Sequence, residues 1–331
     1  MYQSIVAGCG HYVPENIITN NDLRQWMDTT DEWIQERTGI KERRFITPGV
    51  DTVYNMSAKA ALMALERAAI PKEEIDFIVL ASITPDFYFP GSGCLLQHEL
   101  GLPAIGALDV RNQCSGFIYA LAVADQFIKT GMYKTVLVVG AEIQSTAMDL
   151  STEGRAVSVI FGDGAGAVVL KRSEQSDKGI LSTHLHADGA YAEELICKAP
   201  GSSRPVRRLD QMTDFSEANP YMNGNAVFKL AVEKFPEAIS EALAHNGYTV
   251  EDLDLVIPHQ ANLRISKYVE QKMGLNGKVF SNIQRYGNTT AASIPIAMSE
   301  CWSAGLLKPE SLVCLVAFGS GFAWGSALIR M

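Results

Sequence analysis

The sequence predicts an α/β protein assembled from two similar halves, each carrying helices that lead into buried strands. Two internal correspondences and one polar seam carry that expectation. Residues 60–79 run from an alanine- and leucine-rich helical stretch into Ile75-Asp76-Phe77-Ile78-Val79. Residues 238–257 match them without gaps and end in Leu253-Asp254-Leu255-Val256-Ile257. The helical run after Cys114 leads to Thr135-Val136-Leu137-Val138-Val139-Gly140, and the run after Ala291 leads to Ser311-Leu312-Val313-Cys314-Leu315-Val316. Repetition of helix–strand units at this scale indicates a duplicated domain. The polar stretch 172–179 is the expected seam, giving an N-terminal half over residues 1–172 and a C-terminal half over 173–331.

Along the chain, the first segment, Met1-Tyr2-Gln3-Ser4-Ile5-Val6-Ala7-Gly8, lacks the basic start and apolar stretch of a secretion signal. No apolar run approaches the roughly 18 residues that a membrane span needs, so a cytoplasmic protein without membrane association is expected. The next informative segment is Leu108-Asp109-Val110-Arg111-Asn112-Gln113-Cys114-Ser115-Gly116-Phe117, where a strand-like approach meets a helical run over 116–129. A thiol at a helix N-terminus faces unpaired backbone N–H groups and the positive end of the helix dipole, which favours its thiolate. Cys114 is therefore a candidate nucleophile, although a small buried cysteine is the alternative reading. The run Gly162-Asp163-Gly164-Ala165-Gly166 is followed by strand-like Ala167-Val168-Val169-Leu170 rather than a helix, which argues against a dinucleotide-binding loop. Residues 198–221, with Pro200, Gly201, Pro205 and Pro220, exceed ordinary loop length and suggest a lid or binding element.

In the second half, the strand 253–257 runs into Pro258-His259-Gln260-Ala261-Asn262-Leu263-Arg264, which puts a histidine just past a strand end, where α/β proteins gather their chemistry. Asn288, within Arg285-Tyr286-Gly287-Asn288-Thr289-Thr290, offers an N–H donor without adding negative charge. Singly, His259 is compatible with a structural role and Asn288 with a helix cap. In a duplicated frame, Cys114, His259 and Asn288 all fall near element ends that can converge on one site.

Composition narrows the function classes. The 331 residues are 47% hydrophobic, enough for one large or two fused cores. The formal charge of −9 argues against general nucleic-acid binding. Six scattered cysteines without CxxC spacing indicate reduced thiols and no metal site. Local basic groups (Lys41, Arg43 and Arg44; Arg204, Arg207 and Arg208; Lys229, Arg264, Lys267 and Lys272) are either solvated surface or docking points for a phosphorylated cofactor or an acidic carrier.

The combination of Asp31-Glu32-Trp33-Ile34, Arg37-Thr38-Gly39-Ile40, Gln113-Cys114-Ser115-Gly116 and Phe161-Gly162-Asp163-Gly164-Ala165-Gly166-Ala167 with His259-Gln260-Ala261-Asn262-Leu263-Arg264, Tyr286-Gly287-Asn288-Thr289 and Phe318-Gly319-Ser320-Gly321-Phe322-Ala323-Trp324-Gly325-Ser326 spans the chain. In this order the motifs resemble the β-ketoacyl-acyl-carrier-protein synthase III family. The resemblance implies a thiolase-like fold of duplicated α/β/α/β/α layers and a homodimer. It implies initiation of fatty-acid synthesis by decarboxylative condensation of an acyl-CoA primer with malonyl-ACP, with no cofactor beyond these substrates. It assigns catalysis to Cys114, His259 and Asn288, and the oxyanion hole to the backbone N–H groups of Cys114 and Ser320. Trp33, Arg37, Arg155, Asn225, Phe228 and Asn262 would bind CoA and its pantetheine. Phe89 would limit the acyl pocket across the dimer, and Lys229, Arg264 and Lys272 would dock the carrier protein.

The chain also departs from the commonest family pattern: Gln113 and Ser115 stand where alanines are usual, Ser320 replaces a glycine, and the loop Asp86-Phe87-Tyr88-Phe89 is aromatic. These departures resemble branches that use medium-chain or aromatic starters for specialised metabolites. A biosynthetic thiolase would need a cysteine where Phe318 stands, and a hydroxymethylglutaryl-CoA synthase a glutamate within Ala81-Ser82-Ile83-Thr84-Pro85. Type III polyketide synthases share the Cys-His-Asn set but are usually longer. A non-catalytic subunit that only holds acyl carriers is the reading from another class.

Overall fold

Two sheets form the framework of the computed structural model, which describes residues 2–175, 177–204 and 215–331. The first sheet orders its strands Gln3–Tyr12, Gly164–Ser173, Thr135–Glu142, Phe77–Ala81 and Gly106–Val110. The second orders Gly179–Ala187, Ala323–Arg330, Leu312–Gly319 and Leu255–Pro258. Their pairings correspond. Phe77–Ala81 is parallel to Thr135–Glu142 as Leu255–Pro258 is parallel to Leu312–Gly319, and each inner strand then pairs antiparallel with the next. The outer antiparallel pairs correspond as well, Gln3 with Ser173 and Gly179 with Arg330. The first sheet also carries a fifth strand, Gly106–Val110, whose place in the second is taken by a single parallel bridge between Val256 and Val279.

Strand periodicity explains the layers. Val79, Val136, Val138 and Val168 face a central core, while Ile78, Leu80, Leu137 and Val139 face outward onto the helices Val53–Ala68 and Ser92–Glu99. In the second sheet Leu255, Ile257, Val313 and Leu315 share the central core, while Val256, Cys314 and Val316 pack under Gly224–His245 and Leu263–Met273. Successive side chains point to opposite faces, so strands buried on both faces read as continuous apolar runs. Between the sheets lie the helices Gly116–Lys129 and Ser293–Ser303. Gly116–Lys129 begins and ends where the sequence predicts, and its residues 117, 118, 120, 121, 122, 124 and 128 are buried, as a helix packed on both sides requires. The result is the expected α/β/α/β/α stack. Burying one such Leu, Ile or Phe side chain is worth about 1.5–3 kcal/mol.

Other expectations fare differently. The last strand of the first sheet in chain order is Gly164–Ser173, and the first strand of the second is Gly179–Ala187. The strand Gly164–Ser173 begins within the glycine run and continues beyond it. Of the long 198–221 connection, the described part includes a bridge between Gly201 and Arg204, and Tyr221–Met222 pairs with Leu195–Ile196; Pro205, Arg207 and Arg208 lie outside the described residues. Arg43 is a correction to the reading of the first basic group. Its side chain is wholly buried, donating to the carbonyls of Ile18 at 3.2 Å and Val159 at 2.8 Å, and burial pulls its guanidinium down to about 10. Among the described residues, no helix is long and apolar enough to cross a membrane.

Candidate active site

Cys114 sits in a short 3-10 turn, Gln113–Ser115, that opens the central helix, and Gln113 before it takes a left-handed φ of 44°. The end of strand Leu312–Gly319 lies against this turn. A Cβ on Gly319 would fall 2.6 Å from the Cys114 Cβ and 3.2 Å from its Sγ, so only glycine fits there. The residues after Asn288 close the other side, since a Cβ on Gly116 would meet the Ala291 Cβ at 3.5 Å. Ala291 also packs its carbonyl against strand Thr135–Glu142, where a Cβ on Gly140 would meet it at 2.3 Å.

His259 leaves the end of Leu255–Pro258 with its N–H donated to the Val316 carbonyl at 2.8 Å, three residues before Gly319. Its ring is buried, its Nδ1 lies 2.6 Å from Ser293 Oγ, and its Nε2 has no hydrogen-bond partner among the described residues. Burial alone lowers the imidazole to about 3, so the ring is neutral at physiological pH. Asn288 is tied to the first half, donating its N–H to the Ile160 carbonyl at 2.8 Å and accepting from Gly162 N–H at 3.1 Å. The Thr290 N–H donates to Asn288 Oδ1 at 2.8 Å, which fixes the amide so that Nδ2 is the free donor. The structure thus brings the elements bearing Cys114, His259, Asn288 and Ser320 together at the junction of the two sheets.

The protonation of Cys114 departs from the expectation of a favoured thiolate. Burial, reinforced by Glu142, pushes the thiol up from 9.0 to about 12, against the backbone N–H groups of Cys114 and Ser320, which favour the thiolate. That rise corresponds to roughly 4 kcal/mol, whereas a helix terminus supplies about 0.3–2 kcal/mol. Burial wins, and the Cys114 side chain rests as a thiol. The two N–H groups that face its sulfur are those expected to form the oxyanion hole. Ser320 keeps that N–H, and its hydroxyl donates to the Leu195 carbonyl at 2.5 Å.

Sequence reasoning misses Glu142, Gln144 and Ser293. Glu142 ends the apolar strand Thr135–Glu142 and is fully buried, with its carboxyl pushed up to about 8 by desolvation. It accepts from Thr84 Oγ1 at 2.7 Å and from Ile83 N–H at 3.3 Å. The stretch 81–85 has no glutamate of its own, yet the Glu142 carboxyl group reaches it from another strand. Gln144 Nε2 donates to Thr290 Oγ1 at 2.8 Å, supporting the turn that holds Asn288. The available signal is an acidic residue closing an otherwise apolar run.

The remaining expected residues lie outside this junction. Trp33 is on the helix Asp31–Thr38, capped by Thr30, with the Arg37 guanidinium 4.4 Å and that of Arg155 5.2 Å from its ring centroid. Arg155 also donates to the Asp28 carbonyl. Asn262 caps Leu263–Met273 through Oδ1 and donates Nδ2 to the Arg37 carbonyl at 2.9 Å, joining this surface to the second half. The Arg264 guanidinium lies 5.5 Å from the half-buried Phe228 ring, while Asn225 and Lys229 are exposed on the same stretch of Gly224–His245. Lys272 reaches the Val232 carbonyl at 3.5 Å, the group left without its helical donor by Pro236. Phe89 stands apart, exposed in the loop with Phe87 and Tyr88. Among the described residues no cluster of three or more His, Cys, Asp or Glu is arranged to hold a metal ion.

Comparison with known proteins gives a consistent result. Residues 108–189 match the family model for 3-oxoacyl-[acyl-carrier-protein] synthase III, and residues 243–331 match the model of its C-terminal part. The chain is 46% identical to a β-ketoacyl-[acyl-carrier-protein] synthase III of Xanthomonas euvesicatoria, over 99% of this chain and 98% of that one. It superposes on the crystal structure of 3-oxoacyl-[acyl-carrier-protein] synthase III from Aquifex aeolicus with a TM-score of 0.91 at 43% identity, covering 99% of this chain and 100% of that one. It is also similar to the priming β-ketosynthase of the R1128 polyketide biosynthetic pathway, with a TM-score of 0.90 at 33% identity, covering 99% and 96% of the two chains.

Proposed function

The chain belongs to the β-ketoacyl-[acyl-carrier-protein] synthase III family, and from that premise we propose how its own residues carry the reaction. It is an acyltransferase that condenses an acyl primer with malonyl-ACP to begin fatty-acid synthesis. The observation that carries the residue assignment is the packing of Cys114 against Gly319 and the Ala291 turn, with neutral His259 and oriented Asn288 reaching the same junction.

In the first half-reaction the Cys114 sulfur adds to the thioester carbonyl of an acyl-CoA. The carbon–sulfur bond to CoA breaks, and the thiol proton leaves with CoA as its free thiol. The backbone N–H groups of Cys114 and Ser320 hold the oxyanion. In the second half-reaction the malonyl carboxylate leaves as CO2, and its electron pair passes into an enolate. His259 Nε2–H and Asn288 Nδ2–H donate to the enolate oxygen. The new carbanion attacks the acyl carbon, the bond to Cys114 breaks, and the sulfur takes up a proton. The roughly 12 value of the free thiol favours that final protonation.

Trp33, with Arg37 and Arg155, would hold the nucleotide end of CoA, stacking and charge being the interactions these side chains offer. Asn225, Phe228 and Asn262 would line the pantetheine path, and exposed Lys229, Arg264 and Lys272 would meet the acidic carrier. The halves would be residues 1–172 and 173–331. Homodimerisation is supported by the open edge of Gly106–Val110 and by exposed Phe87, Tyr88 and Phe89. Phe89 would then bound the acyl pocket of a second copy.

The test is product identification by mass spectrometry after incubation with malonyl-ACP and acetyl-, octanoyl- or aromatic acyl-CoA. One primer should dominate the β-ketoacyl-ACP formed. Absence of product from every primer would overturn the reading.

A further inference from the structure

We propose that Ser293 is a positioning residue that sets the tautomer of His259: its hydroxyl donates to Nδ1, so that Nε2 carries the ring proton as a fixed donor. This rests on the role given above to His259 and deepens it, because the same ring could otherwise present a bare acceptor at Nε2.

Three observations carry the assignment. Ser293 Oγ lies 2.6 Å from His259 Nδ1, and both side chains are buried. The same Oγ accepts from the Gln260 N–H at 3.3 Å, so a backbone donor already uses one of its lone pairs. His259 Nε2, on the ring edge away from Ser293, is buried with no hydrogen-bond partner among the described residues.

A neutral imidazole holds one proton, and burial keeps this one neutral. If that proton sat on Nδ1, Ser293 Oγ would accept from both Nδ1 and Gln260. Its own hydrogen would then be buried with no acceptor among its observed contacts, an arrangement folded proteins avoid. If the hydroxyl donates to Nδ1, the serine is satisfied on both counts. The proton then belongs to Nε2. Ser293 opens the central helix Ser293–Ser303, whose residues Ile294, Ala297, Met298 and Cys301 are locked in the core, so the hydroxyl is held in place by the fold itself.

The experiment uses the full chain labelled with 15N-histidine, with the His259 signal assigned by its loss in His259→Gln. Two-bond 15N–1H spectra at neutral pH should show Nε2 protonated and Nδ1 bare in the unmodified protein. In Ser293→Ala, protonation should shift toward Nδ1. Condensation should then slow roughly ten-fold or more, on the scale of one lost transition-state donor, while the rate of Cys114 acylation, followed by intact mass, stays within about two-fold. Ser293→Thr should restore both the spectrum and the rate. Protonated Nδ1 in the unmodified protein would overturn the proposal even if Ser293→Ala did not fold. An unchanged spectrum in Ser293→Ala, or equal losses in both half-reactions, would overturn it too. Should His259→Gln retain full condensation, the catalytic reading of His259 fails while the spectrum still decides the tautomer.

Discussion

Replacing Glu142 with glutamine isolates the electrostatic cost of the ground beneath Cys114. Glu142 has no solvent exposure, and desolvation raises its carboxyl from 4.5 to about 8 despite donors from Thr84, Ile83 and Ala291. The rise corresponds to roughly 5 kcal/mol between the two protonation states. Because the folded chain holds this proton to higher pH than the unfolded chain, the associated stability is complete below pH 4.5 and is lost as pH rises through 8. A glutamine amide at this position has no such proton to lose. Unfolding free energies from urea titration of both proteins between pH 5 and 8 should therefore diverge in favour of Glu142→Gln by up to about 1.4 kcal/mol per pH unit. The same substitution removes a negative neighbour from Cys114, so alkylation of that thiol above pH 8 should accelerate. Stability curves that stay parallel across this range, with unchanged alkylation, would refute the assignment of a buried, proton-holding carboxyl to this position.

Gly319→Ala places a Cβ 2.6 Å from the Cys114 Cβ. A displacement of the proposed nucleophile on the order of 1 Å should cut its acylation roughly 100-fold, measured by the rate of adduct formation. Asn288→Asp puts a carboxylate where the proposed mechanism needs a donor; condensation should fall by about 100- to 1,000-fold, with acylation of Cys114 retained in a single-turnover assay. If Trp33 stacks on CoA as proposed, Trp33→Ala should raise the KM for acyl-CoA by about 3- to 10-fold, with kcat unchanged.

The duplicated framework is legible because its strands are buried on both faces and its helices keep their periodicity, so residues 60–79 and 238–257 announce the same unit twice. The approach of the elements that bear Cys114, His259 and Asn288 follows from the places of these residues at element ends. What local sequence does not carry is depth. Arg43 reads as part of a surface basic run, yet it lies wholly inside, donating to two backbone carbonyls. The protonation of Cys114 likewise depends on burial and on Glu142, neither of which is encoded in the turn that presents it. Glu142 meets Ile83 and Thr84 across neighbouring strands, a pairing invisible to any window along the chain. Ser293 looks like an ordinary helix-opening serine until the fold sets it 2.6 Å from His259. Asn262 reads as a ligand residue, whereas its amide also caps one helix and ties it to Arg37.

In the proposed mechanism Cys114 stores the primer as a thioester and surrenders it to a malonyl carbanion. Intact-protein mass spectrometry after incubation with a panel of acyl-CoAs, followed by a malonyl-ACP chase and run beside Cys114→Ala, tests it directly. A single acyl adduct is expected, one that requires Cys114 and disappears on the chase as β-ketoacyl-ACP forms. An adduct that persists in Cys114→Ala, or one that malonyl-ACP leaves in place, would contradict it.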